Sequence, residues 1–82
     1  MAGDNTALQI LKIYDKNNES VAGAKVELLG TDKIYYTNSK GECYIPENIY
    51  KSCNSIKVEC ISYKSTVLNI NELNSKIILE FR

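Results

Sequence analysis

A seven-stranded antiparallel β-sandwich is the fold class that this sequence predicts, and three observations predict it. Ala24–Leu29 and Ser55–Ile61 alternate apolar and polar residues one by one, which is the period of a half-buried strand. Other β-prone runs recur at intervals of eight to twelve residues, separated by polar clusters rich in Gly, Asn and Asp. No stretch carries a convincing helical period, and no internal repeat or linker interrupts the pattern.

The elements follow in order. Ala7–Asp15 is the first strand, with Leu11 and Ile13 on one face and Lys12 and Tyr14 on the other. Residues 16–20 are a polar turn cluster, and Gly23 in the short link Val21-Ala22-Gly23 supplies a backbone angle that a larger residue resists. In the next strand Ala24, Val26 and Leu28 point inward, with Lys25 and Glu27 outward. A turn over Gly30–Lys33 leads to the β-prone run Ile34–Thr37. Thr37–Pro46 reads as a hairpin: the end of one strand, a tight turn closed by Gly41, and a return strand with Cys43 and Ile45 on one face. Pro46 cannot donate to a ladder, so the return strand ends there. Glu47–Ser55 is expected as an irregular loop. Ile56, Val58 and Cys60 point inward from the following strand. Ser65–Ile70 is a further strand, residues 71–75 a polar connection or a single helical turn, and Lys76–Phe81 the last strand, with Ile77, Leu79 and Phe81 on one face.

Composition bounds the function. The 82 residues suffice for one core but not for a core plus a deep substrate cleft. Residues 7–82 are therefore read as a single domain and residues 1–6 as a disordered tail. Ten Lys+Arg balance ten Asp+Glu, so no electrostatic attraction favours nucleic acid. The longest apolar runs fall far short of the ~18 residues of a membrane span. Direct membrane insertion is not expected. Met1–Thr6 holds neither a basic region nor an apolar signal core, which leaves a cytoplasmic protein or one whose export signal has been removed.

Chemistry-bearing groups are sparse. Cys43, Cys53 and Cys60 are odd in number and form no C-x-x-C pair, so at most one disulfide is expected. With no histidine, a zinc site would need all three thiolates, and small buried side chains are the better reading. A Ser or Cys nucleophile lacks its commonest base, and no glycine-rich phosphate loop is present. Neither an enzyme nor a cofactor is expected. An isopeptide bond needs a Lys, an Asn and a carboxylate inside the core, but Lys12 and Glu59 lie on outward positions. What could bind is aromatic: Tyr14 and Tyr44 on an outward face with Leu29 beside them, and Ile49 and Tyr50 in the loop, which either cap the core or meet a partner.

Asp15, then Val21-Ala22-Gly23-Ala24-x-Val26, Gly30-Thr31, Thr37-x-x-x-Gly41-x-x-x-Ile45-Pro46 and Ile56-x-Val58-x-x-Ile61-x-Tyr63-Lys64 come in an order that resembles the carboxypeptidase regulatory-like domain. The resemblance runs from about Leu11 to Phe81. The chain departs from the family's strings at Ser20-Val21 for Pro-Leu, Asn38 for Asp, Cys43 for an aromatic, and Ser62 for the Gly before Tyr63. Bacterial collagen-adhesin repeats show similar strands. The resemblance implies a Greek-key, transthyretin-like (Ig-like) architecture and an accessory role in bacterial surface or secretion proteins, with a protein partner or a multidomain parent. Independently of the resemblance, the edge strands of a small sandwich leave unpaired backbone that another chain could extend, so a monomer or a weak edge-strand dimer is expected. Related hydroxyisourate hydrolases use histidines and a C-terminal Y-R-G-S-type signature. This chain has no histidine and ends Glu80-Phe81-Arg82.

Overall fold

Residues 7–73 and 75–82 are described by the computed structural model; the expected tail, residues 1–6, and Asn74 of the expected polar connection lie outside them. The fold is all-β and is built from two sheets. Strands β1 (Leu8–Asp15), β4 (Glu42–Pro46) and β7 (Lys76–Leu79) form a three-stranded sheet in the order β4-β1-β7. Strands β2 (Lys25–Leu29), β3 (Ile34–Tyr36), β5 (Ser55–Glu59) and β6 (Thr66–Asn69) form the second, in the order β3-β2-β5-β6.

The alternation read in the sequence is what fills the core. Leu11, Ile13, Cys43, Ile45, Ile77 and Leu79 reach inward from the first sheet, and Val26, Leu28, Ile56 and Val58 meet them from the second. Each of the aliphatic side chains among them contributes about 1.5–3 kcal/mol by leaving water. Tyr35, Leu68, Ile70 and Leu73 pack at the margin of this cluster.

The structure corrects several expectations. Thr37–Pro46 is not a hairpin, because β3 pairs with β2 while β4 pairs with β1. The turn after Thr37 instead carries the chain from one sheet to the other. Thr37 fixes the crossing: its Oγ1 accepts from the Ala24 amide at 2.9 Å and donates to the Val21 carbonyl at 2.7 Å. Asn38 Oδ1 then accepts from the amides of Lys40 and Glu42. Gly41, at φ 75°, gives its carbonyl to the Ile13 amide, and a Cβ there would lie 2.6 Å from the Ile13 carbonyl oxygen. Only glycine lets β4 lie that close to β1.

The antiparallel expectation also fails at one place. β7 runs parallel to β1, with Lys12 opposite Lys76 and Asp15 opposite Leu79. The other strand pairs are antiparallel. The expected loop 47–55 begins with one helical turn, α1 (Glu47–Tyr50), after Pro46, whose fixed φ suits a helix start. Four residues are too few to show a period. β5 ends at Glu59, so Cys60 is only half-buried and Ile61 is exposed. β6 ends at Asn69, whose side chain accepts from the Asn71 amide and starts a 3-10 turn at Ile70. Phe81 is not part of the buried core: it is 44% exposed and stacks on Tyr63, with ring centroids 4.9 Å apart.

Candidate functional site

The outer face of the three-stranded sheet is the surface with most to offer a partner. The parity that buries Leu11 and Ile13 turns Leu8, Ile10, Lys12 and Tyr14 outward. Register then sets their neighbours: Leu8 lies opposite Pro46, Ile10 opposite Tyr44, Lys12 between Glu42 and Lys76, and Tyr14 opposite Ile78. Leu8, Ile10 and Tyr44 are 51%, 40% and 47% exposed, whereas Leu11, Cys43 and Ile45 are at or below 1%. One side of the sheet is therefore dry and the other presents apolar side chains to water. A polar row of Lys12, Glu42 and Lys76 divides this face into an apolar cluster at the β1 start and a smaller one at Tyr14 and Ile78.

Local contacts order the face. The Tyr44 hydroxyl donates to Glu42 Oε1 at 2.7 Å. That bond holds the Glu42 carboxyl below its usual range and raises the Tyr44 hydroxyl above its own. The Lys76 ammonium sits 4.7 Å from the centre of the Tyr14 ring and also donates to Asn18 Oδ1 at 3.2 Å.

The sequence-selected residues do not form one site. Tyr14 and Tyr44 share the outer face but not a cross-strand pair, since Ile10 stands opposite Tyr44 and Ile78 opposite Tyr14. Leu29 is not beside them: it is on β2 of the other sheet, opposite Ser55. Ile49 and Tyr50 lie on α1, half-buried against the core. Burial, with Cys53 nearby, pushes the Tyr50 hydroxyl up, and the Cys53 thiol donates to the Tyr50 carbonyl at 3.1 Å. Sequence reading missed Leu8 and Ile10. They stand at outward parity ahead of Lys12, and that parity is the signal that could have found them.

Other chemistry is thin among the described residues. The second sheet's outer face carries Lys25, Glu27, Lys57 and Glu59, with Glu59 3.9 Å from Lys25 and 3.5 Å from Lys57. Such exposed pairs contribute little, about 0–1 kcal/mol. Lys12 is exposed, as the outward parity requires, and Glu59 faces these lysines outside the core. Among the described residues Asp15 is the one buried carboxylate, and it is already engaged: it accepts from the amides of Asn17 (2.8 Å) and Glu19 (3.0 Å) and from the Tyr63 hydroxyl (3.3 Å). It fastens the turn after β1 to a residue 48 positions away. A groove of about 180 Å³ between β6 and β7 is lined by Thr66, Leu68, Glu72 and Leu73 on one side and by Lys76, Ile77 and Ile78 on the other. Ligand pockets usually measure about 300–1,000 Å³.

The described residues contain no group of three or more His, Cys, Asp or Glu placed to hold a metal ion. The three cysteines are free thiols, with Cys43 and Cys53 buried and Cys60 half-buried. No helix among the described residues is long and apolar enough to cross a membrane. In comparison with known proteins, no family model, no curated protein and no solved structure matches the chain.

Proposed function

We propose that the chain is a non-enzymatic accessory domain of the carboxypeptidase regulatory-like kind, which docks a protein partner and spaces it from its surroundings. Its architecture on this reading is the Greek-key, transthyretin-like sandwich of seven strands, here with a parallel first–last pair. The observation that carries the reading is the wet apolar cluster of Leu8, Ile10 and Tyr44 on a regular sheet face. Exposed aromatic and aliphatic groups gathered on a rigid surface are what a protein interface uses at its centre. The motif order from Asp15 to Tyr63-Lys64 supports the family and, through it, a bacterial cell-surface or secretion setting outside the cytoplasm. An odd number of cysteines keeps a free-standing cytoplasmic adaptor as the second reading. A transthyretin-type carrier would need a stable oligomer with a central channel. A monomer by light scattering removes that idea.

Affinity purification from the source cell tests the docking face. The protein is compared with an Ile10→Ser/Tyr44→Ser variant, which alters exposed positions only. A partner retained by the first and lost by the second is the expected result. A partner held equally by both sinks the assignment of this face.

A further inference from the structure

We propose that the parallel pairing of β1 and β7 makes the domain a force-bearing spacer, in which tension between the chain's two ends loads its first and last strands in shear. The inference rests on the spacing half of the function proposed above. β1 runs from Leu8 to Asp15, and β7 lies beside its second half in the same direction, with Lys12 opposite Lys76 and Asp15 opposite Leu79. The chain therefore enters at the Leu8 end of the sheet and leaves at the Asp15–Leu79 end. Seven steps of ~3.3 Å separate those two levels by about 23 Å. An antiparallel first–last pair would have put entry and exit at the same end.

Direction decides how the bonds fail. Inter-strand hydrogen bonds lie across the strands, so a pull along them loads the whole row together. A pull across the strands at one end opens the bonds one after another. Here both strands are anchored against an axial pull. β1 is held by β4 along Leu8–Lys12 and by β7 along Lys12–Asp15, and the Lys12 amide donates to the Ser75 carbonyl at 2.7 Å. Beyond β7, the Lys64 amide donates to the Glu80 carbonyl at 2.8 Å, the Arg82 amide to the Ser62 carbonyl at 3.1 Å, and Phe81 stacks on Tyr63. Tension on Arg82 is thus passed to the 62–64 segment as well as to β1.

Single-molecule force spectroscopy on the whole chain tests this by changing only the pulling direction. In one geometry the handles are at the two termini. In the other they are at the N-terminus and at an azide-bearing residue replacing the exposed Asn48, beside the point where the Glu47 amide meets the Ala7 carbonyl. That second geometry peels β1 from β4 starting at the Leu8–Pro46 pair. At equal loading rate the end-to-end rupture force is expected to be roughly two-fold higher or more, because forced unfolding follows the barrier crossed in the pulling direction. Equal or lower end-to-end force overturns the proposal. The Ile10→Ser/Tyr44→Ser changes leave these backbone pairs in place, so loss of a docking partner and loss of the force difference are read separately.

Discussion

Thr37, Asp15, Gly41 and Tyr63, four of the residues that carry the family resemblance, prove to be structural at the atomic level. Thr37 joins two backbone segments, Asp15 and Tyr63 tie the first turn to the chain's last third, and Gly41 permits a close approach of two strands. The departures are accommodated in the same terms. Ser62 stands where the family has Gly and adopts φ 75°, a conformation that costs a residue with a Cβ about 1–2 kcal/mol. Cys43 stands in place of an aromatic and is sealed in the core. Burial pushes its thiol from 9.0 up to about 11, so the folded protein keeps a proton that the unfolded chain gives up. That contribution is complete below pH about 9 and is lost as the pH rises to about 11. It is on the order of 2–3 kcal/mol for a group so enclosed. Urea unfolding across that range should show declining stability, and a Cys43→Ala variant should decline less steeply. An equal slope in both proteins would remove Cys43 as the cause.

At the scale of elements, legibility followed period. β1, β2, β4 and β5 alternate over five or more residues, and their buried members were readable one by one: Leu11 and Ile13, Val26 and Leu28, Cys43 and Ile45, Ile56 and Val58. Elements of three or four residues show no period: α1 is invisible in the sequence, and the 3-10 turn Ile70–Glu72 overlaps the single helical turn left open for residues 71–75 without being fixed by any pattern. Pairing was a separate matter. Nothing in the alternation of Thr37–Pro46 says whether two consecutive strands share a sheet, and the buried hydroxyl that separates them has no sequence period at all. The candidate face was half-legible for a related reason. Parity identified Tyr14 and Tyr44 as outward, but only register shows that Ile10 and Leu8 complete the surface around Tyr44. The two faces of β1 make a direct comparison. Ile13→Ala should cost about 2–5 kcal/mol, the range for a fully enclosed aliphatic side chain. Ile10→Ala should cost no more than about 1 kcal/mol, since Ile10 is partly in solvent and loses mainly its cross-strand contact with Tyr44. Denaturant midpoints check both, and a comparable loss at Ile10 would mean that the outer face is covered.

At the scale of the molecule, the staggered cover of β1 has a consequence in time. β4 reaches it from Leu8 to Lys12 and β7 from Lys12 to Asp15, so β1 is the link that joins two halves of a sheet. Lys12 and Lys76 are 76 − 12 = 64 residues apart, whereas Glu27 and Ile34 in the other sheet are separated by 34 − 27 = 7. Closing the longer loop costs more chain entropy and rewards nothing until most of the chain is in place. The β2–β3 and β5–β6 pairings are therefore expected to form early and the β1–β7 row late, an order that pulsed hydrogen exchange would reveal as delayed amide protection in the last strand. Until that row closes, the inner half of β1 is an open edge. The same pairing that fixes the chain's direction through the finished domain makes its first strand wait for its last.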